Sequence, residues 1–167
     1  SSCRQSFPRD AFISTVESRL ATAMSEHPKA TSILEQAHKT DKHTSFLAIR
    51  LAERYTAEGR FDEAERVLSE TLRAAGPNKE VHLALAETIR AFAEEERAQD
   101  IIEHLRRSFS DGDNRYQAQF LFARFSFLYG DRSKAEDLFR SLARAKVSPE
   151  LIDTASEPVR EAGRVRR

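Results

Sequence analysis

Apolar residues recur every three or four positions along most of this sequence, which is the spacing of one face of an α-helix. Phe61, Ala64, Leu68 and Leu72 give the clearest example, because they place one apolar stripe along a single helix. Two further stretches have a similar spacing: Leu83, Ala86 and Ile89, then Ile101, Ile102 and Leu105. No window alternates apolar and polar residues as a half-buried strand would. The pattern therefore predicts an all-α protein without a β-sheet.

Turn-forming and capping residues indicate where these helices end and begin. Glycine readily adopts the left-handed conformation found after many helices, and it follows three apolar stretches, at Gly59, Gly76 and Gly130. Aspartate and serine cap helix starts, and proline suits the first turn. Such residues stand at Asp62, Asp131 and Ser148-Pro149. The chain is thus expected to form short helices joined by tight turns.

Small residues that open amphipathic stretches recur at a nearly fixed period. Ala30, Ala64 and Ala98 are spaced 34 residues apart, and Ala135 follows after 37. The three additional residues fall in the turn-rich segment 110–114. A period of this length is typical of stacked helical repeats.

The residues around these alanines resemble the tetratricopeptide repeat, whose pattern runs W-x2-L-G-x2-Y, then A-x3-F, then P. The best copy reads Ala48, Leu51, Ala52, Tyr55, Gly59, Ala64, Leu68, Pro77. Two later copies place Ala86 and Ala123 where the family has a small residue, although no copy has the first aromatic. In the opening copy, Ile13, Val16 and Leu20 fit only if the internal turn is one residue longer. The resemblance covers about Asp10 to Lys146.

The resemblance implies a right-handed α-solenoid of about four helix pairs. We expect a disordered segment over residues 1–9, the repeats over 10–147, and a capping helix with a basic tail over 148–167. The capping helix would cover the open end of the last repeat, as the ends of stacked arrays require. Its apolar side is Leu151, Ile152, Ala155 and Val159. By analogy of fold alone, the chain would be part of a larger, bacterial multidomain protein.

Catalytic, metal and cofactor sites are not favoured by the sequence. His38, Asp41 and His43 form the only close group of potential ligands, but their spacing does not match one face of a helix. There is no glycine-rich phosphate loop. A single cysteine, Cys3, favours a reducing compartment, so we expect a cytoplasmic protein. We therefore predict a protein without enzymatic activity, metal or cofactor.

Partner binding is the function that the resemblance implies, because the first helix of each tetratricopeptide pair lines a concave groove. The side chains expected there are Phe46, Ile49, Glu53, Leu83, Glu87, Arg90, Phe120, Arg124 and Phe127. Whether the phenylalanines near Arg124 bind a partner or fill the core is left open. The positions of the family's carboxylate clamp hold Ile49, Glu53 and Glu87, so a chaperone tail is not supported.

Two other classes of partner stay open. Arg106, Arg107 and the C-terminal arginines could contact nucleic acid, but Lys plus Arg and Asp plus Glu number 27 each, so no net charge favours it. Phe-rich faces could instead form a homodimer, and the chain is expected to be a monomer or a weak homodimer. No apolar run is long enough to cross a membrane.

Overall fold

The computed structural model describes residues 9–110 and 115–145, and these residues form helices without any strand. The helices are α1 (Arg9–Ala23), α2 (His27–Thr40), α3 (Ser45–Ala57), α4 (Phe61–Ala75), α5 (Lys79–Ala93), α6 (Ala98–Arg107), α7 (Tyr116–Tyr129) and α8 (Arg132–Arg144). The predicted all-α solenoid is confirmed. The expected capping helix and basic tail, and residues 1–8 of the expected disordered segment, lie outside the described residues; Arg9 already belongs to α1.

Consecutive helices pack as hairpins, α1 with α2, α3 with α4, α5 with α6 and α7 with α8. The second helix of each hairpin also packs against the first helix of the next one. We call α1, α3, α5 and α7 the A helices and the other four the B helices. This stacking buries apolar residues from every hairpin in three successive clusters along the array, as expected when each repeat packs on its neighbours.

The periodic alanines are the points of close approach within the hairpins. Ala30, Ala64, Ala98 and Ala135 are all buried, and so are the small residues Ala52, Ala86 and Ala123 on the A helices. A small side chain at these positions lets two helices come together while larger neighbours fill the remaining space. The residues that reveal the repeat in the sequence are therefore the ones that set its packing.

Helix ends follow the sequence signals in part. The Asp131 side chain accepts a hydrogen bond from the backbone N–H of Lys134 at the start of α8 (3.2 Å), whereas Asp62 lies inside the first turn of α4. Gly59 and Gly76 have positive φ angles, but Gly130 does not, so its expected left-handed conformation is wrong. Gly130 instead permits a close approach, because a Cβ there would lie 3.3 Å from the Ser126 carbonyl oxygen.

The first hairpin differs from the sequence expectation. Its turn is not longer than that of the second, since α1 ends 34 residues before α3 and α2 begins 34 residues before α4. Consequently Ile13, Val16 and Leu20 do not enter the core and are exposed. The buried face of α1 is formed by small and hydroxyl-bearing residues: Ala11, Thr15, Ser18 and Ala21.

Candidate partner-binding surface

The nine residues predicted to bind a partner lie on three neighbouring A helices, α3, α5 and α7, with three residues on each. Contacts join these helices along one row of side chains. The Gln117 amide of α7 donates a hydrogen bond to Glu87 Oε1 of α5 (3.1 Å), and Glu87 in turn feels the charge of Glu53 on α3. We call the exposed and half-buried side chains of this region the α3–α5–α7 surface.

Glu87 has the most perturbed electrostatic environment of this surface. Burial raises the pKa of its carboxyl above the ordinary value, the positive charge of Arg90 opposes that change, and the negative charge of Glu53 adds to it. Since burial disfavours the charged form, the Glu87 carboxylate would gain from a cation placed beside it. Leu83, one helical turn before Glu87, is half-buried, and Arg90 is exposed.

On α3, Phe46 and Glu53 are exposed and Ile49 packs partly against the core. Arg50 connects them, because its guanidinium lies 5.3 Å from the centre of the Phe46 ring and 2.7 Å from Glu53 Oε2. Arg50 was not among the predicted residues. Only its position next to Ile49 in the sequence indicates that Arg50 could belong to this surface.

On α7 the two predicted phenylalanines are buried. Phe120 packs against Phe139 of α8 with ring centres 6.1 Å apart, and the Arg132 guanidinium covers the Phe127 ring at 4.8 Å. Arg124 is half-buried, with its Nη2 atom 3.8 Å from Glu94 Oε1. In the described part of the chain, α7 therefore contributes polar groups to this surface and little aromatic area.

A cleft of about 510 Å³ extends this surface toward the first hairpin. It is shared by α1 and α3 and contains Thr15, Arg19 and Thr22 on one side and Arg50, Glu53 and Arg54 on the other. Glu53 belongs to both the cleft and the α3–α5–α7 surface. This cleft could not be predicted from the sequence, because the apolar residues of α1 suggested that another face of this helix would be buried.

The histidines considered as metal ligands make other contacts. His38 Nε2 lies 3.3 Å from Thr71 Oγ1, and His43 Nδ1 lies 3.1 Å from the Ala74 carbonyl oxygen. Within residues 9–110 and 115–145, no three His, Cys, Asp or Glu side chains are grouped to hold a metal ion. No helix in the same ranges is long and apolar enough to cross a membrane.

The nucleic-acid alternative gains no support from the described arginines. Arg107 pairs with Glu103 at 2.6 Å, and the guanidinium of Arg106 lies 6.0 Å from the centre of the Phe109 ring. The C-terminal arginines lie outside the described residues.

A pair of histidines joins α5 to α6. The Nδ1 atoms of His82 and His104 are 3.1 Å apart, a distance at which the N–H of one ring donates a hydrogen bond to the unprotonated nitrogen of the other. Burial lowers the pKa of both rings, and the positive charge of Arg107 lowers them further. Protonating both rings would place two positive charges at hydrogen-bond distance.

We expect the free energy of unfolding to decrease between about pH 7.5 and about pH 5.5. The folded pKa values lie below the unfolded value of about 6.5, so the unfolded chain binds more protons in this range. The stabilisation is fully present above the unfolded pKa and is lost as pH falls through the folded values. Urea denaturation at both pH values measures it. A variant with both His82→Gln and His104→Gln should lose less stability on acidification, although buried His38 still contributes; an equal loss would contradict the assignment.

The comparisons with known proteins agree with this architecture. Residues 21–88 match the family model described as tetratricopeptide repeat. A crystal structure of the MamA protein is 15% identical, with 90% of this chain and 83% of that chain covered and a TM-score of 0.67. MamA from Desulfovibrio magneticus RS-1 is 12% identical, with 81% and 75% covered and a TM-score of 0.63.

A third similar structure is YrrB, described as a tetratricopeptide repeat protein with an unusual peptide-binding site. It is 18% identical, with 78% of this chain and 66% of that chain covered and a TM-score of 0.63. No curated protein matches the sequence significantly. The resemblance found in the sequence is thereby confirmed: residues 21–88 match the tetratricopeptide repeat model, and the described helix pairs share the fold of these structures.

Proposed function

We propose that this chain is a non-catalytic interaction module that binds a protein segment through its α3–α5–α7 surface. The segment belongs to another protein or to another domain of a longer chain. The fold supports this proposal, since stacked repeats present an extended surface that can accept a peptide. YrrB, a protein of the same fold, is described as having a peptide-binding site.

The observation that carries the proposal is the half-buried carboxylate of Glu87 on α5, which accepts a hydrogen bond from Gln117 of α7. Glu53 lies on the adjacent A helix, and its negative charge adds to the rise in the pKa of Glu87 that burial causes and that Arg90 opposes. Half-buried Ile49 and Leu83 lie one helical turn before these two glutamates. A lysine or arginine of the partner would stabilise the charged form of the half-buried Glu87 carboxylate, and an apolar residue next to it would contact Ile49 and Leu83. The preferred ligand is therefore a peptide segment with a basic residue beside an apolar one.

A displayed library of random 12-residue peptides, selected on the immobilised chain, tests this preference. Enriched peptides should contain Lys or Arg next to an apolar residue. The affinity of one such peptide, measured by fluorescence anisotropy, should fall at least tenfold in Glu87→Arg, because the variant places a positive charge opposite the basic residue of the peptide. Circular dichroism checks that the variant keeps its helices.

Glu136→Arg is the matched control, since it makes the same charge change at an exposed position of α8. It should leave the affinity within twofold of the original. Equal losses in both variants would indicate a general charge effect, and the proposal for this surface would then be wrong. Selection of peptides without basic residues would also contradict it.

A further inference from the structure

The outer face of the first hairpin carries a stripe of exposed apolar side chains. We call Phe12, Ile13, Val16, Leu20 and Met24 the α1 stripe. Phe12, Leu20 and Met24 are each more than 60% exposed. Of the eight exposed large apolar side chains in residues 9–110 and 115–145, five belong to this stripe. Such a concentration on one helix is typical of an interaction site.

One position of this stripe is covered by a neighbouring helix in the later repeats, whereas the positions of Phe12 and Val16 stay exposed there, at Phe46 and Arg50 of α3. With the 34-residue period, Ile13 corresponds to Leu47 on α3 and Val81 on α5, which are both buried. Each of those helices packs against the B helix before it, α3 against α2 and α5 against α4. No described helix precedes α1, so its face is open in this structure.

The residues at the edge of the α1 stripe argue against a preceding hairpin as its cover. Glu17 corresponds to Leu51 and Leu85, which are buried in the later repeats. A further helix packed over this position would bury the Glu17 carboxylate, which is costly. A cover that fits the α1 stripe therefore has apolar side chains opposite the stripe and a positive charge beside Glu17.

The other end of the described array does not match this stripe. The exposed side chains of α8 are mainly charged or polar: Arg132, Ser133, Lys134, Glu136, Asp137, Arg140, Ser141 and Arg144. Stacking α8 of one molecule on α1 of another would place these groups against apolar side chains. An apolar stripe is best matched by an equal apolar stripe, which a two-fold symmetric pair of identical helices provides.

We propose that two copies of this chain associate through the α1 stripe, with the two α1 helices parallel. On a helical wheel, Asp10 and Glu17 lie along one edge of the stripe and Arg19 lies along the other. In a parallel two-fold pair, the acidic edge of one helix lies beside the basic edge of its copy. In an antiparallel pair, each edge would lie beside the same edge of the copy, and like charges would repel. Charge complementarity therefore selects the parallel arrangement.

The α1 stripe shares no residue with the α3–α5–α7 surface, although Arg19 at the edge of the stripe also lines the cleft that contains Glu53. A pair of four-turn helices buries an area near the lower limit for stable dimers, about 1,200 Å². We therefore expect a weak association, whose extent depends on the concentration of the chain.

Sedimentation velocity of the whole chain, from about 1 to about 200 µM, measures the association. The mass should rise with concentration from 19.0 kDa toward twice that value. Leu20→Glu should raise the dissociation constant at least tenfold with unchanged helicity, since Leu20 is exposed in the single molecule. Leu128→Glu, a matched change at an exposed leucine of α7, should leave the association intact. A monomer throughout this range, or equal effects of both substitutions, would overturn the proposal.

Cysteine cross-linking tests the parallel orientation. In a Cys3→Ser background, Val16→Cys places identical thiols opposite each other in a parallel pair. A short bis-maleimide should then link the chains efficiently, and Leu128→Cys should not be linked. A dimer that fails to cross-link through Val16→Cys alone, but does so when Val16→Cys and Leu20→Cys chains are mixed, would overturn the parallel arrangement.

Discussion

Phe125→Ala is expected to lower the free energy of unfolding by about 3–5 kcal/mol, the usual range for removing a buried aromatic ring. Phe125 is fully buried on α7. Its ring lies 5.9 Å from that of Tyr129 and belongs to a cluster with Ile89, Ile101 and Leu105. These contacts join α5, α6 and α7, so the cavity would weaken the connection between the third and fourth hairpins. Urea denaturation followed by circular dichroism measures the change.

Phe46→Ala is the matched control, because it removes the same ring from a position on α3 that is 43% exposed. Its expected effect on the free energy of unfolding is about 1 kcal/mol or less. It should instead weaken binding of a peptide at the α3–α5–α7 surface. Comparable losses of stability in Phe46→Ala and Phe125→Ala would show that α7 is not packed as described here.

The α7 helix shows where sequence periodicity reaches its limit. Phe120, Phe122, Phe125 and Phe127 are placed so that apolar residues occur on every side of the helix. A helix that is apolar all around carries no stripe from which the buried face can be identified. Contacts with other helices determine which rings are buried, since Phe120 packs against Phe139 and Phe127 is covered by Arg132. The sequence could therefore predict the helix but not which of its rings are accessible.

The later repeats could be predicted because the apolar stripe visible in the sequence is also the face that packs against the neighbouring helices. Ala64 and Leu68 form one stripe in the sequence, and both are buried in the structure. Gly59 ends α3 with a positive φ, as its conformational freedom suggested. These positions depend on contacts within one hairpin or with the next one, so a fixed period reveals them. The stacking of hairpins then follows from the need to cover each apolar face.

The first hairpin was not predictable in this way, because its apolar residues are not the ones that pack against the array. Ser18 takes the core position, and its hydroxyl donates a hydrogen bond to the Ala30 carbonyl oxygen at 2.8 Å. The period leaves Ser18 in register with Ala52 and Ala86, and the helix then turns Val16 and Leu20 outward. The assumption that the apolar residues of α1 face the core led to the wrong prediction of a longer turn between α1 and α2. For the proposed partner surface, the sequence indicates only a row of positions, since the effect of Glu53 on the pKa of Glu87 depends on how α3 and α5 pack.

Ala64→Leu is expected to lower the free energy of unfolding by about 1–3 kcal/mol, the usual cost of forcing a larger side chain into a packed core. Ala64 is fully buried in the cluster that also holds Ala48, Leu51 and Leu68. The added isobutyl group has no space unless α4 moves away from α3, and such a shift also disturbs the contact of α4 with α5. Urea denaturation measures the loss of stability.

Ala74→Leu is the control on the same helix, because Ala74 is exposed and leucine is nearly as good a helix former as alanine. Its effect should stay within about 0.5 kcal/mol. A larger loss of stability in Ala64→Leu than in Ala74→Leu would show that position 64 requires a small side chain because two helices approach closely there, and not because alanine favours helix formation. Equal and small effects would mean that the α3–α4 hairpin can open without cost, and the small residues of the repeat would then need another explanation. Because Ala30 and Ala98 occupy the same position in the neighbouring hairpins, the same requirement explains why the period persists along the chain.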